Sequence, residues 1–212
     1  MDKKISPFTQ MMDQGIQNYL GENVFVGVPG HIVSFDAAKQ VATVQIGLLS
    51  HLRDGTTQAP NPIPGVPVQF IGGHAGTLEY EILPGTEGYI HFSHWCISSW
   101  VRSGGIQGRD EFRQFDSADA VFVPGIRSAA NAIPSFQNNG IRLRNADGSA
   151  YYWVKRDGQV EVDGAKLTVK CPAEFVGAVQ FDSTMTNRGK DVSSTHTHTG
   201  VQSGNSVTGP VS

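Results

Sequence analysis

Apolar side chains recur with a three-four spacing near the start of the chain and predict one amphipathic helix over residues 6–20. The stripe consists of Ile5, Phe8, Met12, Ile16 and Tyr19. Ser6 is a favourable N-cap, Pro7 fits the first helical position, and Gly21 is expected to end the helix. A lone amphipathic helix needs an apolar surface to lie on. We expect that surface to belong either to the helix's own domain or to a neighbouring subunit.

From about residue 24 to 127 the pattern changes to short strands rich in branched and aromatic residues. The predicted strands are 24–28, 31–35, 40–46, 66–71, 88–92 and 120–123. Residues 36–39, with the sequence Asp-Ala-Ala-Lys, predict a hairpin turn. About five strands with loops of uneven length favour a small Greek-key barrel of the OB type. A β-sandwich is the competing architecture, because strand spacing alone does not separate the two.

The chain changes character again after the predicted barrel. Composition marks residues 129–140 as a linker. Further strands are predicted at 141–144, 151–154, 160–162 and 166–170, separated by Asp-Gly turns. This segment has too little apolar mass to form a stable globule alone. Intertwining with identical chains would bury both faces of its strands and remove the exposed edges.

Composition agrees with extended structure and excludes several classes of protein. Only 17% of the residues are charged and the formal net charge is -3, which argues against a nucleic-acid-binding surface. No run approaches the roughly 18 apolar residues of a membrane span, and the first residues lack the apolar core of a signal peptide. Cys96 and Cys171 could pair, but we interpret them as two buried free thiols, since a protein assembled in a cytosol is expected to keep them reduced.

Two histidines, His196 and His198, stand two residues apart near the C-terminus. Strand side chains alternate, so both imidazoles would lie on the same face of an extended strand. Imidazole is the commonest protein metal ligand, but two ligands do not complete a structural site. Asp191 is the one nearby carboxylate, and the segment has no cysteine. The missing ligands are therefore expected from further copies of the same chain.

A threefold arrangement of the chain would complete this site. With two histidines from each chain, three copies would bring six imidazole nitrogens around one point. An octahedral nitrogen site suits Fe(II) or Ni(II) better than Zn(II), and it leaves no open position for catalysis. The alternative interpretation is a pair of exposed terminal histidines that bind nothing.

The pattern His-Thr-His-x-Gly-Val-x-x-Gly-x-x-x-Thr-Gly-Pro runs from His196 to Pro210. It resembles the apex of central spike proteins from contractile-tailed phage baseplates, the Mu-like membrane-piercing spike family. The run Gly140–Tyr151 resembles the start of that family's shaft, and Tyr89–Trp100 resembles its barrel more loosely. The order of the parts also agrees: a short N-terminal helix, an OB-like barrel, a β-stranded shaft and a His-x-His tip.

The resemblance implies a homotrimer whose shaft is an intertwined β-helix or β-prism. Its apex would bind one iron ion, shared by three chains, through His196 and His198. Calcium or chloride ions near the shaft are also implied, although no residues of this sequence can be assigned to them. The protein would belong to the virion, at the tip of the tail baseplate and in contact with a hub protein. Sheath contraction would drive it through the host outer membrane, and nucleic acid is not an implied partner.

The sequence therefore predicts an all-β fold preceded by a helix. Its parts are an N-terminal helix (1–21), an OB-like barrel (22–128), a linker (129–140), a trimeric β-helical shaft (141–190) and a metal-bound apex (191–212). We expect a structural protein rather than an enzyme. The alternative is a cell-envelope hydrolase or glycan-binding module with an OB-like domain.

Several residues between 91 and 99 carry weaker chemical signals. His91 and His94 are metal-ligand types, and Cys96 is a nucleophile type. Strand alternation would place the two histidines on opposite faces, so packing and loop roles are favoured. Ser98 and Ser99 are not set in the Gly-x-Ser-x-Gly pattern of a nucleophile elbow.

Two further segments resemble sites without completing one. Asp110 and Glu111 are paired carboxylates of the kind used by glycosidases, but Arg109 and Arg113 flank them and favour a solvated loop. The glycine-rich run 72–76 lacks the lysine of a phosphate-binding loop and is expected to be a flexible connection. None of these segments predicts an enzyme.

Overall fold

The computed structural model describes residues 6–24, 26–52, 54–193 and 204 of the chain, without the side chains of residues 21–23. The fold is mostly β with an N-terminal helix. The chain divides into two compact units, Met1–Pro134 and Ser135–Ser212. Helices and strands are numbered below in chain order.

Helix α1 (Pro7–Asn23) begins as its sequence predicts. The Ser6 hydroxyl oxygen accepts a hydrogen bond from the backbone N–H of Thr9 at 3.2 Å, and proline occupies the first turn. The predicted stop at Gly21 is wrong. Hydrogen bonding continues past this glycine, and the N–H of Val24 donates to the carbonyl of Leu20 at 3.0 Å.

The large apolar side chains of α1 are exposed. They are Phe8, Met11, Met12, Ile16, Tyr19 and Leu20, each between 48% and 67% accessible. The stripe expected from the sequence is therefore present, but the described part of the chain does not bury it. Of the two surfaces considered for this helix, the one on its own domain is not seen among these residues.

A five-stranded antiparallel sheet follows the helix. Its strands are β1 (Gly27–Asp36), β2 (Val41–Ile46), β5 (Ile63–Pro67), β8 (Glu87–Phe92) and β9 (Ala120–Pro124), in the order β5-β2-β1-β8-β9. Val68, just after β5, forms a parallel bridge with Phe122 of β9, so the two edges approach each other. The sheet is a half-barrel consistent with an OB-like domain.

The core of this unit lies inside the half-barrel. Ile32, Val44, Ile90 and Phe122 are its largest fully buried apolar side chains, one from each of four strands. The alternation predicted for 40–46 is confirmed, because Ala42 and Val44 are buried. At the β1–β2 turn, a carboxylate oxygen of Asp36 accepts hydrogen bonds from the backbone N–H groups of residues 38 and 39.

The predicted strands 24–28 and 31–35 are not separate, because the single strand β1 begins at Gly27 and continues through residue 35. Gly30 permits this continuity, because a Cβ atom there would lie 2.5 Å from the carbonyl oxygen of Gln45. The predicted strand 66–71 is divided between β5 and β6 (Ile71–Gly73).

Short elements fill the connections of the half-barrel. β3 (Ser50–His51) pairs with β4 (Thr57–Gln58), and β6 pairs with β7 (Gly76–Leu78). The glycine-rich run 72–76 is thus a hairpin rather than a flexible connection. Helix α2 (Ser98–Ser103), which the sequence did not predict, lies between β8 and β9.

The second unit contains a three-stranded antiparallel meander. Its strands are β10 (Gly140–Arg144), β11 (Tyr151–Lys155) and β12 (Val160–Asp163). All three strands and the Asp-Gly turns between them were predicted. A small hairpin of β13 (Thr186–Asn187) and β14 (Lys190–Asp191) follows. The strand predicted at 166–170 is wrong for the single chain, because residues 164–185 form no regular ladder.

Both cysteines are free thiols, as predicted, but they differ in environment. Cys96 is buried in the first unit. Cys171 is exposed in the second unit, so its predicted burial is wrong. The difference follows from the missing strand at 166–170, since nothing in the described chain covers that segment.

Candidate functional site

The predicted metal ligands His196 and His198 lie outside the described residues. Their assignment therefore stays a prediction from the sequence. Among the residues that the structure does describe, no group of three His, Cys, Asp or Glu side chains could hold a metal ion.

The meander β10–β12 has one face made of apolar side chains, here named the apolar face. Its members are Ile141, Leu143, Tyr152, Val154, Val160 and Val162. The strand register aligns them in two rows, because Tyr152 stands between Leu143 and Val162, and Val154 stands between Ile141 and Val160. Each side chain is between 36% and 73% exposed. The described chain therefore leaves an ordered apolar surface uncovered.

The opposite face, here named the polar face, is occupied by interactions within the chain. The Arg142 guanidinium lies 3.7 Å from the ring centroid of Tyr151, and the Lys155 ammonium lies 4.8 Å from that of Trp153. Glu161 accepts hydrogen bonds from the Tyr151 hydroxyl and the Lys155 ammonium.

These contacts have electrostatic consequences. The hydrogen bond from Lys155, followed by that from Tyr151, holds the pKa of the Glu161 carboxyl below its ordinary value. The same carboxylate raises the pKa of Tyr151, because it stabilises the protonated phenol. The polar face is thus covered by contacts among its own side chains, although Arg142 Nε and Trp153 Nε1 are buried there without a hydrogen-bond partner. The apolar face has no covering layer in the described chain.

A second feature is the insertion between β8 and β9, residues 93–119, here named the β8–β9 insertion. It is anchored by Asp119, which is fully buried. The carboxylate of Asp119 accepts hydrogen bonds from Arg113 Nε at 2.6 Å and from the backbone N–H of Ile97 at 2.8 Å. Arg113 also donates to the hydroxyl oxygen of Ser98 at 2.7 Å. One buried carboxylate therefore joins both halves of the insertion.

Burial by itself raises the pKa of Asp119, but the hydrogen bonds from Arg113 and Ile97 outweigh it and leave the pKa below its ordinary value. The hydrogen bond to Asp119 likewise raises the pKa of Arg113. Both groups are therefore ionised at neutral pH, and the pair is a charged anchor rather than a proton-transfer couple.

Asp110 and Glu111, the two carboxylates considered as a glycosidase pair, form ion pairs with arginines. Asp110 lies 3.4 Å from Arg102, and it also accepts a hydrogen bond from the Ser99 hydroxyl. Glu111 forms an ion pair with Arg113. These pairings agree with the expected loop. They connect α2 to the rest of the β8–β9 insertion.

Three side chains of the insertion lie together at its surface and are here named the aromatic platform: Trp95, Arg109 and Phe112. The Arg109 guanidinium carbon lies 4.6 Å from the ring centroid of Trp95 and 5.7 Å from that of Phe112. Trp95 is 51% exposed and Phe112 is 89% exposed. No salt bridge to Arg109 forms within the described chain.

The histidines weighed as metal ligands have aromatic neighbours. His91, on β8, packs beside Tyr89 with ring centroids 5.0 Å apart. His94 lies beyond the strand and packs against Phe115 at 4.8 Å and against Trp95. These are the packing and loop roles that the sequence favoured.

The start of the predicted linker is attached to the half-barrel. The Glu87 carboxylate accepts hydrogen bonds from the backbone N–H of Ser128 at 2.7 Å and from the Asn131 side chain at 2.6 Å. The Ser128 bond, with that of Asn131, lowers the pKa of Glu87. Sequence analysis missed this attachment, because the two sides are 41 residues apart.

Residues 28–125 match the model of a protein family described as the phage protein Gp138 N-terminal domain. The match covers less than half of the chain and shows that this segment is similar to a domain of a phage protein. The matched segment contains nearly all of the half-barrel and the whole β8–β9 insertion. The comparison with curated proteins found no match. Within the described residues, no helix is both long enough and apolar enough to cross a lipid bilayer.

Proposed function

We propose that this phage protein is the central spike of a contractile-tail baseplate, and that it works as a homotrimer which pierces the host outer membrane. The Gp138 N-terminal domain match supports a structural role in the virion. The resemblance of the sequence from His196 to Pro210 to a spike apex supports the more specific assignment.

The exposed apolar face of the meander is the observation that carries this proposal. An ordered sheet whose polar side chains contact one another and whose apolar face is uncovered is half of a packed structure. Three copies with their apolar faces toward a common axis would bury Tyr152 and Val154, which lie on the central strand. The polar faces, with Arg142 and Glu161, would then form the outside of a narrow shaft.

The chain after the meander supports the same assembly. Residues 164–185 have no regular ladder, yet they contain many exposed apolar side chains. Among them are Leu167, Val169, Phe175, Val176, Val179 and Phe181. A strand needs a neighbour to satisfy its backbone groups, and strands of identical chains would supply that neighbour for 166–170.

In this proposal, His196 and His198 from three chains hold one iron ion at the tip. The donor set fits, because neutral imidazole nitrogens suit Fe(II). Iron would supply a structural bond between the three chain ends, not a catalytic centre. By analogy with zinc-finger peptides, metal binding could stabilise the tip by on the order of 10 kcal/mol.

The proposed partners follow from the mechanical role. A baseplate hub protein would hold the trimer beneath the tail tube, and the host outer membrane would be contacted transiently during contraction. A rigid shaft with a metal-bound tip that carries few charged side chains is suited to transmit this force. From Asp191 to Ser212 the sequence contains no lysine, arginine or glutamate, so few strongly hydrated groups would enter the bilayer.

The test is native mass spectrometry combined with metal analysis of the purified full-length chain. We expect a trimer and about one iron per three chains. A monomeric mass under native conditions would overturn the proposal.

A truncation ending at Asp191 separates this function from the alternative of an envelope hydrolase or glycan-binding module. A spike loses its metal when the last residues are removed. Hydrolysis of envelope glycan, or binding to it, that is present in the full chain and survives the truncation would favour the alternative.

A further inference from the structure

Within the described residues, helix α1 presents an exposed apolar stripe. Between Pro7 and Asn23 the sequence contains Asp13 and Glu22 but no lysine or arginine. The helix is well formed at its N-terminus, where Ser6 caps it. It is therefore an ordered element with an exposed apolar stripe and a sequence of negative net charge.

The aromatic platform has the complementary character. Trp95 and Phe112 expose aromatic rings, and Arg109 lies over both with no salt bridge in the described chain. Tryptophan and arginine are the residue types enriched at the energetic centres of protein interfaces. The arginine can therefore pair with an acidic partner while the rings contact apolar side chains.

The platform is held in place before any partner binds. The buried Arg113–Asp119 pair joins the two halves of the β8–β9 insertion, and Asp110 ties α2 to it. Preorganised loops lose less conformational entropy on association. A long insertion stabilised in this way, with its aromatic residues outward, is typical of a binding surface.

The helix and the platform emerge at the same end of the half-barrel. The N–H of Phe92, at the end of β8, donates to the carbonyl of Val26, just before β1, at 3.1 Å. The helix ends at Asn23, and the insertion begins at residue 93. In copies arranged around one axis, the end of every helix and the start of every insertion would therefore lie at the same height along that axis.

We propose that α1 of one copy docks on the aromatic platform of a neighbouring copy, so that the barrel domains are joined by exchanged helices. This inference rests on the proposed homotrimer and deepens it, because it names a contact in the barrel region that is independent of the shaft. The occupant is a second copy rather than the same chain, since both surfaces are exposed within one chain. Charge complementarity and the shared level on the half-barrel support the choice.

The experiment uses co-expression of two full-length chains with different affinity tags, both carrying Cys171→Ser to remove the exposed thiol. One chain carries Met12→Cys, on the helix stripe, and the other carries Phe112→Cys, on the platform. Mild oxidation followed by non-reducing electrophoresis is expected to give a product that contains both tags. The matched control replaces Met12→Cys with Gln10→Cys, which lies on the opposite side of the helix and should cross-link several-fold less.

A charge variant tests the partner's chemistry. Arg109→Glu on the platform chain is expected to lower the cross-link yield about tenfold, since it opposes the acidic helix, whereas Arg109→Lys should retain most of the yield. Equal yields for the Met12→Cys and Gln10→Cys pairs would overturn the proposal. It would also be overturned by a disulfide that forms only when both cysteines are on the same chain.

Native mass spectrometry of the same samples distinguishes a failure of the helix-exchange proposal from a failure of the proposed homotrimer. A trimer without the inter-chain cross-link overturns helix exchange alone. The aromatic platform would then be available to bind a different protein, such as the baseplate hub. A monomer overturns helix exchange together with the proposed function. A trimer with the selective cross-link supports both.

Discussion

The Nε atom of Arg113 lies 2.6 Å from Oδ2 of the fully buried Asp119, and this pair joins the two halves of the β8–β9 insertion. Asp119 also accepts a hydrogen bond from the backbone N–H of Ile97, close to the start of α2. One buried carboxylate thus holds the beginning of the insertion against its end.

Replacement of this carboxylate should loosen the insertion. Asp119→Ala leaves the Ile97 N–H and the Arg113 guanidinium without their acceptor, and loss of one partner of a buried pair costs on the order of 3 kcal/mol. We expect a lower denaturant midpoint and faster hydrogen exchange at 93–119. Asp54→Ala is the control, because Asp54 is an exposed carboxylate in a turn. Equal destabilisation by both variants would contradict the anchoring role.

The same carboxylate predicts acid sensitivity. Its pKa is lower in the folded chain than in the unfolded chain, so its stabilisation is complete above the unfolded value of about 3.9 and is lost as pH falls through the folded value. The pKa values of Glu87 and Glu161 are also lowered, so the stabilisation from these two carboxylates is likewise lost as pH falls. The free energy of unfolding should therefore decrease below about pH 5. Asp119→Asn should flatten this dependence in chemical denaturation measured across the acid range.

The apolar face gives a prediction about assembly. Val154→Lys places a charge on the central strand of that face, and an unpaired buried charge costs several kcal/mol. We expect loss of the trimer in light scattering and native mass spectrometry. Gln159→Lys adds the same charge in the exposed turn before β12 and should leave the trimer intact. A trimeric Val154→Lys variant would show that this face does not line the shaft.

The metal site gives an independent prediction. His196→Ala, or His198→Ala, should remove the iron yet leave the trimer assembled, because in the proposed trimer the buried strands of the shaft would hold the chains together. Elemental analysis of the purified variants measures the first effect, and native mass measures the second. Wild-type iron content in either variant would rule out that residue as a ligand.

The attachment of Glu87 predicts local protection from proteolysis. Glu87→Ala removes the acceptor of Ser128 and Asn131, so trypsin should cut faster after Arg127. Glu79→Ala, at an exposed position in the same unit, is the matched control. Unchanged cleavage at Arg127 would show that the linker is held by other contacts.

Local patterns predicted local structure well. Ser6 and Pro7 set the start of α1, and Asp36 sets the β1–β2 turn, because each acts on backbone groups within a few residues. The meander was predicted for a similar reason, since alternation and Asp-Gly turns require only neighbouring strands. The end of α1 was missed, because Gly21 tolerates a helical conformation as well as a stop.

Structure that depends on distant residues was not predictable in this way. α2 is short and its N-terminus has no side-chain cap, so no periodic signal marks it. The β6–β7 hairpin and the Arg113–Asp119 anchor depend on where the surrounding strands place them. The aromatic platform was missed for the same reason. The sequence signal that could have indicated it is the presence of two aromatic residues and an arginine in one long loop.

For the candidate metal site, the sequence indicates which residues could bind the metal but not how they are arranged. His196 and His198 are recognisable from spacing alone, because an extended strand would place both on one face. That two histidines do not complete a site is also a property of the sequence. In the proposed trimer the geometry of the site would depend on other copies of the chain, which no local pattern specifies.

By itself, the sequence determined the two faces of the meander and the capped helix with its apolar stripe, because both follow from the repeat of the backbone along a few residues. Only the tertiary structure decided that the helix stripe stays uncovered, that Val68 meets Phe122, and that Asp119 anchors the insertion. These relationships join residues distant along the chain. Their energies come from burial and buried charge, which depend on the whole fold rather than on neighbours in sequence.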